Sequence, residues 1–246
     1  MWLPAWLGEI YSKLYLRFEG ELFTFKDALE FLQTSENRLS VAFSKLHKNR
    51  VLLVFNKGKP RQYRLLDPRS LMLLASGAVR NLDRVPQERY VKVLCEAFWV
   101  LSRSLKLTSL ALYGSVARGT AGENSDIDLL IVSNDFSGSI GKRIEVLSKL
   151  EERLEEELTW LTRHGIYTGF SFYPLTEEEA SRKPLLLIDM TEDAIILYDK
   201  DRFLERVLSE LRADLLRLGA KRVFTDKVNW YWDLKPDYKF GEEMTI

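Results

Sequence analysis

The sequence predicts an α/β protein of the α+β kind: a mixed sheet with flanking helices over residues 71–246, behind a small, mostly helical domain over residues 1–70. Three observations carry this. Short apolar runs bounded by turn residues, such as Leu110-Ala111-Leu112-Tyr113 and Leu129-Leu130-Ile131-Val132, alternate with longer amphipathic stretches, as strands alternate with helices. The first 70 residues give instead three helical stretches and one hairpin pattern. At 246 residues the chain is long enough for one large or two small domains.

In the N-terminal domain Leu7, Ile10, Leu14 and Phe18 fall at helical spacing, predicting a helix over 7–18. Thr24 is placed to cap a second helix over 25–32, because a threonine hydroxyl can accept an orphan N–H of the first turn. Thr34-Ser35 forms a turn, and Ser35-x-x-Arg38 opens a third helix reaching about Lys48. Two strands follow, 51–55 and 62–66, joined by a turn at Lys57-Gly58-Lys59-Pro60. Three helices and a basic-tipped hairpin resemble a winged helix-turn-helix over about residues 8–68, on pattern and not on a fixed motif.

Charge supports a polyanionic partner for this part. Residues 1–70 carry 12 Lys or Arg against 7 Asp or Glu, whereas 71–246 carry 24 against 29; from Arg38 to Arg69 nine basic residues face the single acid Asp67. The resemblance implies double-stranded DNA, with Asn37, Arg38, Ser44 and Lys45 of the third helix in the major groove and Lys57, Lys59 and Arg61 on phosphates. The alternative is a solvated face on a domain used for protein contact or for a homodimer.

Residues 71–107 read as helix broken at Pro86, the second piece running from there to about Leu105, which puts the domain boundary at about 70–85. Strands are expected at 110–113 and 126–132, then a charged helix over 140–160 whose run Glu151-Glu152-Arg153-Leu154-Glu155-Glu156-Glu157 reads as a solvated face. A strand at 166–173, a short helix from Glu177, the apolar stretch 185–188, a strand at 194–198 and a helix over 201–218 ending at Gly219 complete the order. The tail from 229 to 240 holds Trp230, Tyr231, Trp232, Tyr238 and Phe240, expected to fold back into a groove of its own domain. Stacking on a base is the other use of such a tail.

The chemistry sits between 110 and 132. A strand ending at Tyr113 turns out through Gly114-Ser115, passes Arg118-Gly119, and re-enters a strand through Ser125-Asp126-Ile127-Asp128. Alternation along a strand puts Asp126 and Asp128 on one face, toward the glycine loop. Two carboxylates so close repel unless a cation lies between them. Magnesium is suited to that place, because it takes one or two carboxylates together with substrate phosphates. Backbone amides around Gly114 and the Ser115 hydroxyl could then hold the phosphates of a nucleoside triphosphate.

The pattern Gly114-Ser115-x-Ala117-Arg118-Gly119 followed by Ser125-Asp126-x-Asp128-Leu129 resembles the signature of the DNA polymerase beta-like nucleotidyltransferase superfamily, most closely its minimal branch, known from prokaryotic toxin–antitoxin pairs. The resemblance implies a magnesium-dependent transfer of a nucleoside monophosphate from an NTP, with ATP the expected donor, to an acceptor hydroxyl. Gly114, Ser115, Arg118 and Ser125 would bind nucleotide, and Asp126 and Asp128 would be catalytic and hold two metal ions, in a site where such ions stand about 3.5–4 Å apart. It also implies a partner toxin as one possible role. Family members usually carry a third carboxylate on a later strand. The stretch 166–173 contains no acid; Glu177, Glu178, Glu179, Asp189 and Asp193 come later. Either an off-strand acid substitutes, or nucleotide is bound without efficient turnover, as in a DNA-binding regulator.

The remaining composition excludes other chemistry. The single Cys95, among apolar neighbours, rules out an internal disulfide and a cysteine zinc cluster. His47 and His164 have no partner at ligand spacing. No apolar run approaches about 18 residues, and 1–4 lacks a basic start, so a cytoplasmic protein is expected.

Overall fold

The computed structural model describes residues 3–226 and 229–238. Its N-terminal unit consists of α1 (Ala5–Phe18), β1 (Phe23–Thr24), α2 (Phe25–Leu32), α3 (Glu36–Lys48), β2 (Leu52–Asn56) and β3 (Gln62–Leu65). The caps form where expected. Thr24 accepts the Asp27 N–H while the Asp27 carboxylate accepts the Thr24 N–H, and Ser35 accepts from Arg38 at the start of α3. β3 lies between β1 and β2, antiparallel to both. Leu7, Leu14, Leu39 and Leu46 are fully buried beneath this sheet with Phe23 and Phe43 packed edge to face.

Next come α4 (Pro68–Ser76) and α5 (Val91–Ser104). The helix expected from Pro86 begins only at Val91, because 82–84 and 88–90 form separate 3-10 turns. Cys95 is buried in α5, and burial pushes its thiol pKa up. The second sheet is made of β4 (Leu107–Tyr113), β5 (Ile127–Ser133), β6 (Phe170–Leu175) and β7 (Ile195–Asp199), in the order β6-β5-β4-β7, with only the β5–β6 pair parallel. Helices α6 (Gly114–Arg118), α7 (Ile140–Glu151), α8 (Glu155–Arg163), α9 (Glu177–Ser181), α10 (Leu186–Asp193) and α11 (Phe203–Leu218) connect and cover it.

Both faces of this sheet are covered, which explains the unbroken apolar run in β5. Leu110, Leu112, Leu129 and Ile131 pack with Leu94 of α5, Leu147 of α7 and Leu161 of α8. Ala111, Leu130 and Val132 face Leu187 of α10 and Leu204 and Leu211 of α11. A final hairpin, β8 (Lys221–Phe224) with β9 (Trp230–Asp233), lays Trp232 on that second face, as expected of the aromatic tail. Phe240, and Met1 and Trp2 at the other end, lie outside the described residues.

Two further sequence expectations are corrected, and the unassigned apolar stretch finds its element. β6 starts at Phe170, not 166, because Tyr167 and Thr168 brace the neighbouring loop: the Tyr167 N–H donates to Glu123 O at 2.7 Å and the Thr168 hydroxyl to Ser125 O at 2.8 Å. The apolar stretch 185–188 opens helix α10. Glu157 is not solvated. It is 2% exposed and forms ion pairs with Arg64 of β3 and Lys92 of α5, while the Arg64 guanidinium lies 3.3 Å from the Trp160 ring centroid. The same Trp160 donates through Nε1 to Glu21 at 3.1 Å. A basic residue of the 38–69 run is thus spent on joining the two parts. No described helix is long and apolar enough to cross a membrane.

Candidate active site

β4 ends at Tyr113 and the chain turns directly into α6. Gly114 opens that helix with φ +70°, a region side chains avoid, and a Cβ placed there would lie 2.0 Å from Asp128 Oδ2. Only glycine lets the loop rest on the carboxylate. In the antiparallel register Tyr113 stands opposite Asp128, so strand pairing brings the loop to the acid across 14 residues of sequence. Ser115 is half-buried in the first turn of α6, where helix N–H groups have no intrahelical acceptor.

Asp128 is half-buried and Asp126, one residue before β5, is exposed. Burial raises the Asp128 pKa and the Asp126 charge adds to the rise, against a hydrogen bond from the Ser171 hydroxyl and the positive charge of Arg118. Burial likewise raises the Tyr113 pKa, with the Asp128 charge behind it. Ser171 is the β6 residue paired with Asp128, so β6 contributes a hydroxyl where no acid stands. Among the described residues no group of three or more His, Cys, Asp or Glu could hold a metal.

The later acids are accounted for. Glu177 accepts from Thr108, at the opposite end of β4, about five strand residues, roughly 17 Å, from Tyr113; Glu179 pairs with Arg143 at 2.5 Å, and Glu178 pairs with Arg182 on the surface. Asp189 accepts the indole N–H groups of Trp230 and Trp232 at 3.1 and 2.8 Å. Asp193 lies on the site side, 3.8 Å from Arg118, and binds Arg222 through two hydrogen bonds of 3.2 and 2.7 Å. The Ser125 Oγ accepts the Gly122 N–H at 2.9 Å, which shapes the loop. Sequence reasoning missed Ser171 and Arg222 as neighbours of the site, because the first needs the strand register and the second a hairpin about 100 residues downstream; Trp230 it named only within an aromatic tail whose place was open.

The residues expected to meet DNA lie elsewhere. Asn37, Arg38, Ser44 and Lys45 are exposed on α3, with Lys45 over Trp6, and Lys57, Lys59 and Arg61 are exposed at the β2–β3 tip. That tip reaches toward the site: Phe55, Asn56 and Lys57 line a cavity of about 490 Å³ together with Gly119, Glu123 and His164.

The family model of the nucleotidyltransferase domain matches residues 94–197. MJ1305 of Methanocaldococcus jannaschii, provisionally named a protein adenylyltransferase, is 32% identical over 122 residues, which cover 49% of this chain and 77% of that protein. This chain belongs to the nucleotidyltransferase domain family. It is a nucleotidyltransferase, an enzyme that moves a nucleoside monophosphate from a nucleotide. MJ1379 of the same organism, with the same provisional name, is 31% identical over 72 residues, covering 29% of this chain and 72% of its own length. A toxin–antitoxin crystal structure with AMP-PNP superposes on 57% of this nucleotidyltransferase and 94% of its own chain, at 18% identity and a TM-score of 0.31, too loose a fit to carry weight.

Proposed function

We propose that this nucleotidyltransferase transfers AMP from ATP to a hydroxyl group of a protein, and that its N-terminal unit, a winged helix-turn-helix domain, binds double-stranded DNA. The fit of Gly114 under Asp128 is the observation that carries the first part, since it seats the glycine loop directly on an acid of the site. Protein as acceptor follows the names of the two Methanocaldococcus jannaschii relatives.

Asp126, Asp128 and the Ser171 hydroxyl form a hard oxygen donor set, and the half-burial of Asp128 beside a second acid calls for a cation. They fit magnesium, which fills its remaining positions with phosphate oxygens and water. When bound, magnesium supplies charge against that developing on the phosphate oxygens; a second ion would take most of its ligands from substrate. Gly114 and Ser115 hold the phosphates, Arg118 neutralises them, and Ser125 keeps the loop in shape. The acceptor hydroxyl releases its proton to solvent as its oxygen bonds to the α-phosphorus, the bond to the bridging oxygen breaks and pyrophosphate leaves in line.

Incubation with magnesium and each radiolabelled NTP, with and without cell extract, tests this. Pyrophosphate release and a labelled protein band, both absent in Asp126→Asn, are the expected result; neither appearing in the wild-type chain refutes transfer. For the DNA part, Lys57→Ala with Lys59→Ala should lower the slope of log K against log salt by about 2 units, near 0.9 per lost phosphate contact. An unchanged slope removes the hairpin tip from the interface.

One observation favours a second reading. With Ser171 and no acid on β6 opposite Asp128, the site would bind nucleotide without turnover, in a DNA-binding regulator or in an antitoxin that grips a partner toxin. Calorimetric binding of MgATP without pyrophosphate release is its signature.

A further inference from the structure

Arg118 is held in an unusual way. Its guanidinium lies 4.7 Å from the Trp230 ring centroid, and the Arg222 guanidinium lies 4.0 Å from the same centroid. Arg222 takes the Asp193 carboxylate through two hydrogen bonds, while Arg118 stays 3.8 Å from it and makes no hydrogen bond to a described residue. Trp230 is itself fixed by its N–H bond to Asp189, which also anchors Trp232. Arg222 therefore absorbs the Asp193 charge, and a ring face, which uses none of the five guanidinium donors, orients Arg118. Beyond that 3.8 Å ion pair those donors are open to an anion, close enough to Asp128 to act on its charge. Arg222 belongs to β8 and Trp230 to β9, beyond the 94–197 stretch that the family model matches.

We infer that the C-terminal hairpin is part of the nucleotide site: Trp230 and Arg222 are positioning residues that present Arg118 to the triphosphate. This rests on the proposed nucleotide site. It extends that site to a segment that would otherwise read as a cover over α10 and α11.

The test is calorimetric titration of the full chain with magnesium and α,β-methylene ATP, whose α–β bridge cannot be cleaved. Trp230→Ala should weaken binding about tenfold, the order expected from a lost cation–π contact in a half-buried place, and Trp230→Phe should restore most of it. Arg222→Gln should also weaken binding, because Asp193, released by Arg222, would then draw Arg118 from its 3.8 Å ion pair into direct hydrogen bonds. In an Arg118→Met background neither substitution should change affinity further, whereas a merely structural hairpin would lower affinity equally in both backgrounds. Equal loss in both, or wild-type affinity in Trp230→Ala and Arg222→Gln alike, overturns the inference. A wild-type chain that fails to bind the analogue at all overturns the nucleotide site itself, a distinct result.

Discussion

The glycine loop between Gly114 and Gly122 is held from two sides by different means. On one side the segment before α5 grips its backbone. Gln87 Nε2 donates to Ala121 O at 2.8 Å while Gln87 Oε1 accepts the Ala121 N–H at 3.2 Å, Arg89 donates to the same carbonyl at 3.2 Å, and Gly119 packs so close to Pro86 that a Cβ would lie 2.8 Å from the proline Cβ. On the other side the C-terminal hairpin grips a side chain, Arg118, through an aromatic face, and shares with it the Asp193 carboxylate at the end of α10. Backbone contacts fix where the loop is and are indifferent to what it carries. Side-chain contacts leave the loop where it is and decide which way its charge points. One side sets shape and the other sets electrostatics, so damage to each should be distinguishable.

The floor common to both sides should be the most sensitive. Gly114→Ala puts a methyl group onto Asp128 at a left-handed φ, and should abolish MgATP binding and lower stability by at least about 2 kcal/mol, as strained φ and steric conflict add. Retained nucleotide affinity in that variant would mean the loop does not rest on Asp128 in solution. Next is the backbone side. Gly119→Ala, at φ +77° and against Pro86, should lower urea stability by about 1–2 kcal/mol, and a second change, Pro86→Gly, which removes the clashing Cβ, should recover the steric share but not the backbone share. Strict additivity of the two would show that the contact is not tight.

The smallest effect is a gain. Because burial raises the Asp128 pKa above its ordinary 3.8, the metal-free folded chain is destabilised by ionising it, so the penalty exists at pH values above the raised folded pKa and disappears below 3.8, where the unfolded chain is protonated too. Asp128→Asn should accordingly melt at a slightly higher temperature than wild type at neutral pH without magnesium, with the difference fading toward pH 3. A variant less stable at neutral pH would show that the Ser171 hydrogen bond and Arg118 outweigh burial.

Much of this arrangement was legible in the sequence, and for local reasons. Thr24 and Ser35 cap their helices because a cap is decided by residues three positions apart, and the approach of Asp128 to Gly114 followed from alternation and a short loop. What was not legible depended on partners far along the chain. Ser171 meets Asp128 only through the parallel β5–β6 register, and 166–168, β-like in composition, serves to brace the Ser125 turn. Glu157 looked like its solvated neighbours, since nothing within its own helix says that Arg64, 93 residues earlier, will come to it.

The burial of that Arg64–Glu157 pair has a consequence for work in solution. Mobile ions screen charges they can surround, over about 8 Å at physiological ionic strength, and they do not reach a pair whose side chains are 5% and 2% exposed. Added electrolyte will therefore weaken whatever Arg38, Lys57 or Lys59 touches while leaving the joint between the two parts intact. Potassium chloride becomes a selective reagent for this chain: it strips the surface and spares the hinge.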